Sequence, residues 1–359
     1  MTLHSLSLAQ FRSWAKLDLH IDTRPMAFHG PNGAGKTNIL EAISMLSPGR
    51  GLRGVQPADQ ARQGPDAGWR IRARIDESDV ETGARPNASR EVSIDGKAAP
   101  QIALGRLMRV IWLTPTMDRL WSDAPEVRRR FLDRITLSFL PAHAEETLTY
   151  DKAMRERNRL LRDQIADAGW YRAIEAQMAQ SGAEITRNRQ AAIAALITAQ
   201  DGAATAFPAA TLTLLAGEGH ADDADPVSIA ERLAAMRGRD MAAGRSLSGP
   251  HRADLGAHWG PQDMPAALSS TGEQKALLLS LILANARALQ DESPVLLLDE
   301  VAAHLDADRR AALYDEITAL PAQSFLTGTG AELFTDFGPR ARLIEITRDG
   351  PGSIATERD

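Results

Sequence analysis

The sequence predicts an α/β protein, a P-loop sheet with an antiparallel β layer beside it, and a helical second lobe. Three observations predict this. Gly30-Pro31-Asn32-Gly33-Ala34-Gly35-Lys36-Thr37 is a complete G-x-x-x-x-G-K-[ST] loop between an apolar strand candidate, Met26-Ala27-Phe28, and a helix-compatible run from Asn38 to Ile43. Far downstream, Pro294-Val295-Leu296-Leu297-Leu298-Asp299-Glu300 is an apolar run closed by two carboxylates, the pattern of a parallel strand buried on both faces. From Ser122 the texture changes to long amphipathic helices.

Taken in order, the first 28 residues and the stretch 69 to 113 read as short strands of the antiparallel layer. Trp69, Ile71, Ala73 and Ile75 alternate with Arg70, Arg72 and Arg74; Val92-Ser93-Ile94 precedes an Asp95-Gly96 turn, and Met108 to Leu113 is a further apolar strand. Pro125 fits a first helical position, and Arg128, Arg129, Arg130 and Arg134 load the helix it opens. A helix over about 144 to 168 sets Tyr150, Met154, Leu161 and Ile165 on one face, and Lys152, Arg155, Arg159 and Arg162 on another. Ala168-Gly169 is read as its break. A second helix from Trp170 to about Gln200 repeats the pattern with Ile174, Met178, Ile185, Ala192 and Leu196, so the two predict a short antiparallel arm. Thr211 to Leu215 reads as a strand and Gly217 to Pro226 as an acidic, flexible loop. Ala276 to Gln290 and Ala307 to Thr318 read as helices; Ser324 to Thr327 and Arg342 to Ile346 read as strands with a helix-like segment between them. Both ends of the chain therefore build the P-loop lobe, residues 1–118 and 285–359, and residues 119–284 build the helical lobe.

Composition sets outer limits. The absence of cysteine excludes disulfides, thiolate zinc sites and thiol catalysis. A net charge of −6 excludes a uniformly basic coat, so nucleic acid would need a local cationic patch. The first residues lack a basic-then-apolar leader, and the longest apolar stretch, Ala276 to Ala284, is interrupted by Ser280 and too short to cross a bilayer. A cytoplasmic protein without a membrane partner is expected.

The loop points to a nucleoside triphosphate. Gly30, Gly33 and Gly35 let the backbone of Gly30 to Asn38 turn its N–H groups inward around phosphate oxygens, and the following helix adds its positive end. Lys36 would reach the β- and γ-phosphates and the Thr37 hydroxyl would sit on Mg²⁺. The alternative is a chance glycine-rich turn. Asp299 would hold the Mg²⁺ shell at the carboxyl edge of its strand, and Glu300 would orient or deprotonate the attacking water.

Leu268-Ser269-Ser270-Thr271-Gly272-Glu273-Gln274-Lys275, ahead of a helix, resembles the signature motif of ABC-type ATPases, which grips the nucleotide of the opposite subunit. Ser270 and Glu273 equally fit an ordinary capping box. Val301 to Asp306 resembles the D-loop of that superfamily, and Asp306 also suits the N-cap of the next helix.

Over nearly its full length the chain resembles the RecF family, SMC-like ATPases of bacterial recombination and repair. The resemblance is carried by Phe11-Arg12-Ser13-Trp14, Gly30 to Ile43, Ser47 to Gly51, Trp112-Leu113-Thr114-Pro115, Glu126 to Arg134, Gly249-Pro250-His251-Arg252, Ser269 to Lys275 and Asp299 to Asp306. It implies an ABC/SMC-type ATPase head with ATP and Mg²⁺ as cofactors. It also implies an ATP-driven homodimer on DNA near gaps or single-strand junctions, and work with RecO and RecR to place RecA, slow hydrolysis resetting the dimer. Glu300, His304 and Ala253 depart from the family pattern, and the Q-loop Gln and switch His have no counterparts at Thr114 to Asp118 and Thr327-Gly328-Thr329. DNA contacts are expected among Arg128, Arg129, Arg130, Arg155, Arg159 and Arg162, against the alternative of solvated helix faces. His251, Arg252, Arg12, Arg50 and Arg53 are further candidate contacts to nucleotide or DNA, with structural or solvated roles as the alternative. Two other functions compete with a weak DNA-stimulated ATPase: the nucleotide-binding subunit of a membrane transporter, and a nucleotide-sensing adaptor that needs no hydrolysis.

Overall fold

The computed structural model describes residues 1–62, 68–86, 88–203, 205–217, 224–260 and 263–357. The chain divides into two compact units, one of Met1–Asp118, Ala203–Phe207 and Ile282–Asp359, the other of Arg119–Gly202 and Pro208–Leu281.

The first unit opens with an antiparallel pair, β1 (Leu3–Phe11) and β2 (Trp14–His20), in which Leu6 faces Leu19 and Leu8 faces Leu17. Next come β3 (Met26–His29), buried throughout, the P-loop, and α1 (Lys36–Ser44). Then β4 (Trp69–Ile75), β5 (Ser78–Ala84), β6 (Glu91–Ile94) and β7 (Lys97–Ala98) complete an antiparallel sheet ordered β2-β1-β4-β5-β6-β7. The period-two pattern of β4 is realised directly. Trp69, Ile71, Ala73 and Ile75 are buried, while Arg70 and Arg72 pair with Glu81 and Arg74 with Asp79 on the outer face.

A short helix, α2 (Leu104–Leu107), leads to β8 (Val110–Leu113), which corrects one expectation. This strand does not lie in the antiparallel layer. All four of its residues are buried, as a strand covered on both faces requires, and it forms the edge of the P-loop sheet.

The second unit contains α3 (Pro125–Phe139), α4 (His143–Arg162) and α5 (Ala168–Asp201). Ala168-Gly169 starts α5 instead of breaking α4. The side chain of Asp167 accepts hydrogen bonds from the N–H groups of Gly169 and Trp170, a cap that the short turn after Arg162 presents. Tyr150, Leu161, Ile174, Met178 and Ile185 are buried in one core, with Met154 and Ile165 packed at its margin. Arg157 is fully buried and donates to Glu175, Asp240, Ser246 and the Leu233 carbonyl, so every arm of its guanidinium is used. After α5 come β9 (Ala210–Leu215), α6 (Pro226–Ala235), α7 (Arg237–Ala243), β10 (Asp254–Trp259) and β11 (Met264–Pro265). The antiparallel sheet β11-β10-β9 was legible only in its first strand. Of the expected acidic loop, residues 218–223 lie outside the described residues.

The unit boundary falls within α8 (Thr271–Ala288). Beyond it, β12 (Val295–Leu298), α9 (Ala307–Ala319), β13 (Gln323–Gly328), β14 (Arg342–Asp349) and β15 (Gly352–Glu357) finish the P-loop sheet, ordered β15-β14-β3-β13-β12-β8. All its pairings are parallel except that of β15 with β14. The sequence carried no expectation for β15, whose half-exposed alternation is weak. Gln323 ties the two sheets of this unit: its amide accepts from the Leu3 N–H at 2.7 Å and donates to the Leu3 carbonyl at 3.0 Å, which satisfies a buried polar group across the layers. Among the described residues no helix is long and apolar enough to cross a membrane.

Candidate nucleotide-binding site

The parallel strands β3, β12 and β13 end side by side, and their carboxyl ends carry the P-loop, Asp299-Glu300 and Thr327-Gly328. Two glycines make the loop possible. Gly30 has φ of 143°, and a Cβ there would stand 2.0 Å from the Ile346 carbonyl oxygen. Gly35 has φ of 111°, and its Cβ would meet the hydroxyls of Ser353 and Ser13 at 2.4 and 2.6 Å. Those two hydroxyls brace the loop: Ser353 donates to the Ala34 carbonyl at 2.5 Å, and Ser13 accepts from Asn38 Nδ2 at 2.8 Å. Trp14 Nε1 donates to the Gly35 carbonyl at 3.2 Å.

Lys36 is buried, and its Nζ donates to the carbonyls of Gly30 and Pro31 at 2.6 and 2.9 Å. Burial pushes the ammonium below its ordinary value, while the carboxylates of Glu300 and Asp299 act in the opposite sense. Gly35 caps α1 without a side-chain hydrogen bond, and no acidic residue sits in the first turn. The positive helix end thus meets no carboxylate of its own first turn, and together with the loop N–H groups and the Lys36 ammonium it fits a triphosphate.

Thr37 Oγ1 donates to Asp299 Oδ1 at 2.8 Å, which joins the loop to the acidic strand. With its proton committed to the carboxylate, the hydroxyl keeps lone pairs for a hard cation. Among the described residues no group of three or more His, Cys, Asp or Glu side chains could hold a metal. Mg²⁺ needs no such cage, since it takes one or two protein groups along with phosphate oxygens. Glu300 is held in the left-handed region, φ 52° and ψ 22°, a costly conformation for a residue with a side chain.

Around the loop, Glu41 of α1 is fully buried yet receives two guanidiniums, Arg12 at 2.6 and 2.9 Å and Arg53 at 2.8 Å. Arg12 and Arg53 therefore brace α1, an ion-pair use that their sequence positions did not reveal. Ser353 and Thr327 were likewise missed as members of the site, because one lies on an unrecognised strand and the other stands where only a missing His was noted.

In the second unit, Ser270 and Glu273 form a reciprocal capping box at the start of α8, Ser270 N–H to Glu273 Oε2 at 2.8 Å and Glu273 N–H to Ser270 Oγ at 3.3 Å. Ser270, Thr271 and Gly272 are exposed. Asp306 caps α9 through the Arg309 N–H at 2.8 Å. The side chain of His304 lies outside the described residues. His251 is a structural partner, with Nδ1 2.8 Å from the Tyr150 hydroxyl.

The candidate DNA arginines separate into two groups. On α3, Arg128 makes a bidentate pair with Asp254 at 2.8 and 2.6 Å, Arg129 donates to the Ala253 carbonyl at 2.8 Å, and Arg130 pairs with Glu126 one turn away. Arg128 and Arg129 are partly buried, so their first role is to hold α3 to the segment leading into β10. On α4, Arg155, Arg159 and Arg162 are exposed, together with Lys152, at spacings of three and four that place them along one side of the helix.

The fold and the site define an SMC-type P-loop head. The family model described as the RecF/RecN/SMC N terminal domain matches residues 2–350. The DNA replication and repair protein RecF of Mesorhizobium japonicum is 44% identical over 96% of this chain and 96% of its own length. That of Caulobacter vibrioides is 44% identical over 99% and 98%. The chain belongs to the RecF family of DNA replication and repair proteins. Its fold is also that of a solved structure described as the recombination mediator protein RecF-ATP in the RecFOR pathway, with a TM-score of 0.82, 23% identity and coverage of 99% of each chain. A Pyrococcus furiosus Smc head domain, 17% identical and covering 99% of this chain and 96% of its own, has a TM-score of 0.56.

Proposed function

We propose that this protein is an ATP-switched, DNA-binding recombination mediator, a weak DNA-stimulated ATPase that forms a two-fold dimer on DNA when ATP is bound. The observation that carries the reading is the Thr37 to Asp299 hydrogen bond of 2.8 Å, which brings a complete P-loop and an acidic strand 262 residues away into one site. RecF relatives bear the name of replication and repair proteins, and a fold relative is described with ATP in the RecFOR pathway. The latter supports ATP as the nucleotide, the former a role in replication and repair.

The backbone of Gly30 to Asn38 and the Lys36 ammonium bind the phosphates, Thr37 and Asp299 would hold Mg²⁺, and Glu300 accepts a proton from the attacking water. When bound there, Mg²⁺ would supply Lewis-acid stabilisation of the charge that develops on the reacting phosphate. Ser270 and Gly272 of one subunit close over the nucleotide of the other, with Asp306 near the join, so ATP binds the dimer more tightly and shifts the equilibrium toward it. The exposed arginines of α4 carry DNA phosphates. RecR, with RecO and RecA, completes the pathway in the cytoplasm.

Sedimentation at micromolar protein, with and without Mg-ATP and a gapped duplex, tests the reading on the wild type and on Lys36→Met. Dimerisation is expected with ATP for the wild type alone. Equal sedimentation of the wild type with and without ATP refutes it.

A further inference from the structure

We infer that Thr327 is a positioning residue of the site, whose one hydroxyl fixes both the Asp299 carboxylate and the Glu300 backbone by hydrogen bonds. This rests on the nucleotide reading above and adds a residue to it. Thr327 Oγ1 donates to Asp299 Oδ1 at 2.7 Å and accepts from the Glu300 N–H at 2.9 Å. The polarity of the link is fixed. An amide N–H can only donate and an ionised carboxylate can only accept, so the single hydroxyl proton has one destination, Asp299.

Each half of the link has its own consequence. On Asp299, the hydroxyls of Thr327 and Thr37 converge on the same oxygen, Oδ1, at 2.7 and 2.8 Å. Two donors on one oxygen hold the carboxylate plane and keep the Thr37 lone pairs turned away from it, free for the cation that the nucleotide reading would place there. On Glu300, the hydrogen bond pins the N–H of a residue with φ of 52°. A left-handed non-glycine residue persists only where its surroundings over-determine it, and this is the side-chain contact that does so. The Glu300 side chain leaves a backbone whose direction is thereby set.

The hydroxyl is itself well held. Thr327 is 1% exposed in a strand buried along its whole length, and the next residue, Gly328, has no room for a Cβ, which would meet the Phe334 ring at 2.8 Å. Strand β13 is therefore clamped at the point where it delivers the hydroxyl. A valine has nearly the same shape but neither donor nor acceptor, whereas a serine keeps both.

The test compares the wild type, Thr327→Val and Thr327→Ser in three measurements. Amide exchange at Glu300, followed by fragmentation mass spectrometry in nucleotide-free protein, reads the link directly: protection is expected in the wild type and the serine variant, and loss of it in the valine variant. Titration of a fluorescent ATP analogue is expected to give Kd values within about threefold of one another, while kcat falls about 10- to 100-fold in Thr327→Val and is largely kept in Thr327→Ser. Should Thr327→Val fail to fold, Thr327→Ala is read in the same way. Unchanged protection of Glu300 and an unchanged kcat in the variant without a hydroxyl overturn the inference, as does an equal loss of kcat in the serine variant. A wild type that binds no ATP analogue refutes the nucleotide reading instead, and the exchange measurement still decides the link.

Discussion

Replacing Arg155, Arg159 and Arg162 together by Gln removes three exposed cations from one side of α4. If each neutralises one DNA phosphate, the slope of log Kd against log salt falls by about 0.9 per residue, or roughly 2.7 for each protomer and about 5 for a dimer with both arms engaged. The structure supplies the contrast. Arg128 and Arg129 of α3 already satisfy Asp254 and the Ala253 carbonyl, so changing Arg128 to Gln strips a bidentate partner from Asp254 and costs stability more than salt slope. The assay is fluorescence anisotropy of a labelled gapped duplex with Mg-ATP between 50 and 200 mM salt, a range over which each phosphate contact present contributes about threefold to fourfold to the salt-induced weakening. The expected result is weaker binding with a flatter slope for the α4 variant and a lower melting temperature with a nearly native slope for Arg128→Gln. An α4 variant with native affinity and slope refutes the assignment and leaves those arginines as a solvated helix face.

Two further predictions concern chemistry and stability. Glu300→Gln is expected to keep nucleotide binding, lose hydrolysis by about 100-fold or more, and trap the ATP-bound dimer, because shape and the Asp299 position survive while the proton acceptor is lost; normal turnover by this variant would place the base elsewhere. Partial burial would raise the Asp133 carboxyl, but the Arg189 guanidinium and the His143 hydrogen bond override it and hold it down at about 2. A carboxyl depressed in the folded state contributes stability that is present above its unfolded value and lost as pH falls toward about 2. Denaturant unfolding of the wild type and Asp133→Asn between pH 5 and 2 is expected to differ by about 2 kcal/mol at the upper end, with the gap closing as pH falls. A constant gap across that range would mean that Asp133 does not act through its charge.

Local chemistry made much of the protein legible. The P-loop glycines, Lys36 and Thr37 occupy consecutive positions, so their pattern needs no tertiary information, and the apolar run into Asp299-Glu300 announces a strand with acids at its end. Periodicities of two in β4 and of about 3.6 in α4 and α5 reflect which face is buried, and each named apolar position of β4 and α5 is buried. What the sequence could not decide is what each charged or hydroxyl group pairs with. Arg128 and Arg155 read alike as helix arginines, yet one meets Asp254 from a segment 126 residues away and the other faces solvent. Val110 to Leu113 could belong to either sheet until β12 took it as a neighbour. Thr327 became part of the site only when β13 was laid beside β12, putting its hydroxyl 2.7 Å from Asp299. The physical reason is the same in each case: local pattern reports burial and backbone preference, whereas pairing depends on distances between residues far apart in the chain, and those distances exist only in the folded protein.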